Sequence, residues 1–146
     1  MKKFRFRLQR VLEYRKLIKQ EKLRALLICN MELSQARGRL EALLQAERDN
    51  RIETQRPIDA GLVHLSGLYA VRLKLEIDSQ RIHVYECEQA VEKALAEYVD
   101  AAKEAEAIVK LKERRLNEYR EYLDKEDLKF IDEINTQKGN RFLEQE

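Results

Sequence analysis

Residues 84–109 of this 146-residue chain run VYECEQAVEKALAEYVDAAKEAEAIV, and apolar side chains recur in them at alternating steps of three and four. This spacing places the apolar side chains in one narrow stripe along an α-helix. Such a stripe needs a partner helix to cover it, as in a coiled coil. The members that we assign to this stripe are Val84, Cys87, Val91, Leu95, Tyr98, Ala102, Ala105, Val109, Leu116, Tyr119 and Leu123.

The N-terminal half carries a stripe with the same spacing. Its members are Leu8, Val11, Ile18, Ala25, Leu26, Cys29, Leu33, Ala36, Leu40, Leu43 and Leu44. Two cations, Arg15 and Lys22, fall at positions where the spacing calls for apolar side chains. The two stripes predict two helices that cover each other within one chain.

Only the stretch Arg56-Pro57-Ile58-Asp59-Ala60-Gly61 combines a helix breaker with turn residues. We predict a single coiled-coil hairpin over residues 1–146, with a helix over 6–55, a connection over 56–65, a helix over 66–136 and a frayed tail over 137–146. A short connection makes the arms antiparallel. The second arm is the longer one, so roughly residues 117–136 are expected to form a helical overhang without a partner arm. Its apolar residues are expected to bind a partner, and the alternative is that the segment folds back or dimerises with itself.

The composition supports an all-α fold. Charged residues make up 38% of the chain, which contains four Gly, one Pro and no Trp. So few turn-forming residues exclude a β-sheet protein. No stretch approaches the roughly 20 apolar residues of a transmembrane helix. The two cysteines, Cys29 and Cys87, are expected to be free thiols of a cytoplasmic protein.

Charge is concentrated at the N-terminus. Residues 1–24 hold ten basic and two acidic side chains. An acidic protein surface, neutralisation by the other arm, nucleic acid and an anionic membrane could each explain this excess. No nucleic-acid-binding module is present. We therefore favour a protein partner first and pairing within the chain second, and expect no nucleic-acid partner.

No catalytic, metal-binding or cofactor-binding motif is present. His64 and His83 have no second ligand at helical spacing. There is no glycine-rich phosphate loop, and the three serines have no base beside them. A two-helix coil also offers no desolvated pocket in which pKa values could be tuned. The sequence predicts a binding protein without cofactors rather than an enzyme.

The two ends of the chain resemble a known family. The opening FRFRLQRVLEYRK of residues 4–16, the LKERR of residues 111–115 with Glu118-Tyr119, residues 128–134 and Arg141-Phe142 are similar to the flagellar export protein FliJ family. The resemblance implies a stalk of the flagellar type III export apparatus that inserts into the export ATPase hexamer and stimulates hydrolysis. It also implies contact with the cytoplasmic domain of the membrane export gate and with export chaperones, at the cytoplasmic face of the inner membrane.

Two sets of residues are candidates for these contacts. The candidates for the ATPase contact are Arg5, Arg7, Arg10, Arg120, Leu123 and Phe130, where charge and an apolar overhang coincide. The candidates for a gate or chaperone contact are Leu62, Val63, Leu65, Leu68 and Tyr69, which could instead fold over the tip of the coil. The alternative functions are the equivalent stalk of a virulence-type secretion system, a chaperone-like or structural coiled coil, and a basic nucleic-acid binder.

Overall fold

The computed structural model describes residues 3–54 and 59–143, and the side chains of these residues except 52–54 and 139–143. It contains two helices, α1 (Gln9–Thr54) and α2 (Ala60–Leu143), and no strand within the described ranges. The two helices pack against each other, which confirms the all-α hairpin with unequal arms. Pro57 and its neighbours from 55 to 58, at the centre of the predicted connection, lie outside the described residues.

Both helices differ from their predicted boundaries at the N-terminal end. Helix α1 begins at Gln9 rather than at residue 6. Helix α2 begins at Ala60, so the prediction that the connection extends to residue 65 is wrong. The Asp59 carbonyl accepts bonds from the amides of Leu62 and Val63 at 3.0 and 3.1 Å, which closes the first turn. Aspartate is a preferred N-cap residue, and a glycine inside a helix costs only about 1 kcal/mol.

The prediction of a frayed tail over 137–146 is also wrong for those of its residues that the structure describes. Helix α2 continues through Gly139 and Asn140 to Leu143. Neither residue takes a positive φ, so the left-handed conformation that commonly ends a helix is not adopted. Residues 144–146 lie outside the described residues.

The packing divides the chain into two units. The terminal unit comprises Met1–Leu17 with Ala102–Glu146, and the central unit comprises Ile18–Ala101. In the central unit, a buried cluster joins α1 to α2 in antiparallel order. Its members are Leu33, Ala36, Val84 and Cys87, with Leu40 and Val91 packed against them.

The seam of the central unit extends further than the stripe predicted for the second arm. Leu73 and Ile77 are buried, and Gln80 is buried beside them with its side-chain amide donating to the Ala36 carbonyl at 3.0 Å. The predicted stripe began only at Val84. It also included Leu95, which is 48% exposed. The neighbouring Ala94 is half-buried and takes the seam position instead.

In the terminal unit, Leu12 and Ala105 are buried at 3% and 4% exposure. Val11, which we assigned to the stripe, is 41% exposed, so the seam lies one residue further along than predicted. The Lys112 ammonium donates to the Gln9 side-chain oxygen at 2.9 Å and joins the two helices beside this seam. The helical overhang begins after Tyr119.

Candidate partner-binding surfaces

Ion pairs across the helices neutralise part of the N-terminal charge. Arg15 and Lys22, which occupy seam positions in α1, reach sideways to Glu104 and Glu97 of α2. The Lys22–Glu97 pair is 2.7 Å long. Hydrogen bonding from the Lys22 ammonium, and then its charge, lower the pKa of the Glu97 carboxyl. These two cations are therefore satisfied within the hairpin and are poor candidates for partner contacts.

The three arginines predicted to contact a partner are placed differently. Arg5, Arg7 and Arg10 are exposed. The side chain of each lacks an ion pair or hydrogen bond to any other residue that the structure describes. A cation that stays exposed and unpaired keeps its full charge available for an acidic partner. We call these three residues the N-terminal arginines.

A groove lies directly beside the N-terminal arginines in the terminal unit. Residues 3–6 precede α1 without helical structure, and the Phe4 ring packs on the Tyr119 ring of α2 with centroids 5.6 Å apart. The groove has a volume of about 750 Å³. It is lined by Phe4, Arg5, Phe6, Arg7, Leu8, Leu111, Arg115, Glu118 and Tyr119. We refer to it as the N-terminal groove.

Arg5 and Arg7 of this groove were predicted as contact residues, whereas its apolar wall was not predicted. Phe4 and Phe6 were not among the predicted contact residues, and no structural position was predicted for them. The alternation of phenylalanine and arginine over residues 4–7 was the available signal, because alternation in an extended segment places like residues on one side. Glu118 forms a 2.9 Å ion pair with Arg115, which leaves Arg5 and Arg7 as the unpaired cations of the groove.

The overhang of α2 exposes apolar side chains in the same unit. Arg120 is exposed, Leu123 is half-buried and Phe130 is 63% exposed. Large apolar side chains that were not among the candidates are also exposed here, namely Tyr122, Leu128 and Ile131. From residue 120 to residue 138, every side chain is exposed except those of Leu123 and Ile134, which are half-buried. The overhang therefore exposes several large apolar side chains that no other element in the described part of the chain covers.

The first turns of α2, in the central unit, form a second apolar surface. All five residues predicted there, Leu62, Val63, Leu65, Leu68 and Tyr69, are between 46% and 62% exposed. A separate exposed apolar stripe follows in Val71, Leu75 and Ile82, on the side of α2 opposite the seam residues Leu73 and Ile77. This part of α2 is apolar on two opposite faces, of which the hairpin covers one.

The described residues contain no group of three or more His, Cys, Asp or Glu side chains placed to hold a metal ion. Cys29 and Cys87 are free thiols. His83 lies 3.8 Å from the Cys87 sulfur, an ordinary contact between residues one helical turn apart. No helix in the described ranges is long and apolar enough to cross a membrane.

Comparison with known proteins gave one match. A family model described as "Flagellar FliJ protein" matches residues 4–143, which is nearly the whole chain. No curated protein matches, and no solved structure matches.

Proposed function

Because the chain belongs to the FliJ family, a component of the flagellar protein export apparatus, we propose that it is the non-enzymatic stalk of that apparatus. In this proposal it inserts into the hexameric export ATPase, stimulates ATP hydrolysis and links the ATPase to the export gate. It acts at the cytoplasmic face of the inner membrane. Export chaperones are further partners under the same proposal.

The observation that carries this proposal is the surface of the terminal unit. The N-terminal arginines are exposed and unpaired among the described residues, and they border an apolar groove. Protein interfaces combine an apolar centre with a polar rim, and arginine is enriched among the residues that contribute most to binding. Arg120, Leu123 and Phe130 extend this surface along the overhang. We therefore assign the ATPase contact to the terminal unit.

The exposed apolar residues at the start of α2 support a separate contact with the gate or a chaperone. Leu62, Leu65 and Leu68 are each more than half exposed. A patch of this kind, which lies in the central unit and carries little charge, suits a partner that binds by apolar burial rather than by charge. The two proposed contacts therefore differ in chemistry, and salt should weaken the first more than the second.

The ATPase contact is tested by reversing the charge of all three N-terminal arginines to glutamate. We expect the triple variant to stimulate the purified export ATPase at least tenfold less than the wild type at equal concentration. The matched control is Arg24→Glu/Arg39→Glu/Arg48→Glu, which changes the net charge equally at exposed positions of the central unit. Unchanged stimulation by the first variant, or an equal loss in the control, would contradict the assignment.

The gate contact is tested by replacing Leu62, Leu65 and Leu68 with alanine, which preserves helix propensity. We expect weaker binding to the cytoplasmic domain of the export gate and unchanged ATPase stimulation. The control replaces Leu27, Ile28 and Met31, which are exposed to a similar degree on α1.

Stimulation of a virulence-type ATPase in preference to the flagellar one would favour the equivalent stalk of that system.

A further inference from the structure

The terminal unit contains two surfaces of opposite charge. Residues 3–10 carry four cations and no acid, and they border the N-terminal groove. Residues 121–134 of the overhang carry six carboxylates and two lysines. No ion pair between these two segments is present among the described residues. One surface is cationic and concave, and the other is acidic and helical.

The apolar and acidic residues of the overhang share one face. Leu123, Phe130 and Ile134 follow the three-and-four spacing, so their side chains project from the same side of α2. Asp127 and Glu133 lie beside them on that side, and both are exposed. An amphipathic helix of this kind is the element that docks its apolar face into a groove and its acidic edges against cations.

Asp127, Phe130 and Glu133 lie roughly two to four helical turns beyond Tyr119, so they cannot reach the groove of their own chain without a break in α2. The helix is continuous from Ala60 to Leu143 and contains no proline. The matching segment must therefore come from a second copy. In a two-fold arrangement each copy supplies one overhang and one groove, so both pairs of surfaces are covered at once.

We propose that two copies of this chain associate through their terminal units, with the overhang of each lying in the N-terminal groove of the other. The association buries Phe130 against the apolar wall of the groove and places Asp127 and Glu133 against Arg5 and Arg7. It goes beyond the proposed stalk function and does not depend on it. If that function holds, the dimer covers the residues assigned to the ATPase contact and is a form of the stalk that does not bind the ATPase.

The first measurement is the mass of the wild-type chain by sedimentation equilibrium over a wide range of concentrations at low salt. The expected mass rises with concentration from 17.4 kDa towards twice that value. Raising the salt to about 0.5 M, where the Debye length falls to roughly 4 Å, should shift the curve towards the monomer. A monomer mass at every concentration would overturn the proposal, since it leaves the groove empty or filled from within the chain.

The second measurement uses charge reversal in two variants. Arg5→Glu/Arg7→Glu and Asp127→Lys/Glu133→Lys should each lose self-association by at least tenfold, because like charges then face each other. Mixed in equal amounts, the two variants should form a heterodimer, since each reversed groove then meets a reversed overhang and each unreversed groove an unreversed one. Failure of the mixture to associate would overturn the proposal.

The matched control is Glu121→Lys/Asp132→Lys. It changes the net charge of the overhang by the same amount, on the face of α2 opposite Phe130. The residues changed in the overhang, Asp127 and Glu133 in the test variant and Glu121 and Asp132 in the control, are all exposed. Each variant should therefore retain the helical circular dichroism of the wild type. The control is expected to dimerise with less than a threefold change in dissociation constant. An equal loss in the control would show that only the net charge matters, which contradicts the assigned face.

Discussion

Leu73 and Leu75 provide the sharpest test of which face of α2 packs against α1. The two residues are two positions apart on the same helix, and their side chains are 3% and 67% exposed. Replacing leucine by alanine removes three carbons, at about 0.8 kcal/mol for each when fully buried. Scaled by exposure, this is about 2.3 kcal/mol at Leu73 and about 0.8 kcal/mol at Leu75. The better helix propensity of alanine applies equally to both.

We therefore expect Leu73→Ala to lower the free energy of unfolding by at least about 1.5 kcal/mol more than Leu75→Ala does, with any cavity adding to the difference. Urea unfolding followed by far-UV circular dichroism measures this difference, provided that the slope m is unchanged between the variants. Equal destabilisation by the two substitutions, or a larger effect at Leu75, would show that the assigned seam of the central unit is wrong.

Three further predictions follow from the seam. Gln80→Leu should raise the free energy of unfolding by about 1 kcal/mol, since an apolar side chain replaces a buried polar one. Urea unfolding measures this change, and a free energy of unfolding below that of the wild type would contradict the prediction. The Lys22–Glu97 pair stabilises the fold above pH 4.5, the ordinary pKa of the carboxyl, and this stabilisation is lost as the pH falls through the lowered pKa. The melting temperatures of the wild type and Lys22→Met should therefore differ near neutral pH and converge in acid, and a constant difference would argue against the pair. Ala105→Leu should cost about 1–3 kcal/mol by overpacking, whereas the exposed Ala107→Leu should change thermal stability by less than about 0.5 kcal/mol.

The hairpin could be predicted from the sequence because its determinants are local. One proline in the middle of a chain poor in glycine leaves room for only two long helices. The phase of the seam was harder to predict, since residues 62–85 of α2 are apolar on two opposite faces. Leu73 and Ile77 are in step with Val84, but the polar Gln80 interrupts the apolar spacing between them. Leu75 offers a competing apolar position on the opposite face, and packing against α1 buries Leu73 instead. Val11 and Leu12 are adjacent, so a shift of one residue in the seam exchanges them, and only the burial of Leu12 decides between them.

The structural surroundings of the candidate contact residues were hard to predict for a similar reason. Arg5, Arg7 and Arg10 became candidates because an excess of cations, which is visible in any sequence, coincides with the expected apolar overhang. The groove beside them depends on a contact between residues more than a hundred positions apart, the rings of Phe4 and Tyr119. Local patterns carry no information about such a contact. The start of α2 at Ala60 depended on a balance between the cap at Asp59 and the cost of glycine, which composition cannot resolve.

The central claim is that the apolar stripes of α1 and α2 cover each other within one chain, in antiparallel order. Arg37 and Glu88 form a 2.7 Å ion pair across the two helices, so their positions mark this pairing. Spin labels on cysteines at these two positions, in a chain whose native cysteines are replaced by alanine, allow the separation to be measured by pulsed electron resonance. We predict a separation within about 20 Å, twice the spacing of packed helices, that persists when the labelled chain is refolded with a large excess of unlabelled chain. A short distance that disappears on such dilution would mean that the helices pair between copies, and that result would contradict the account.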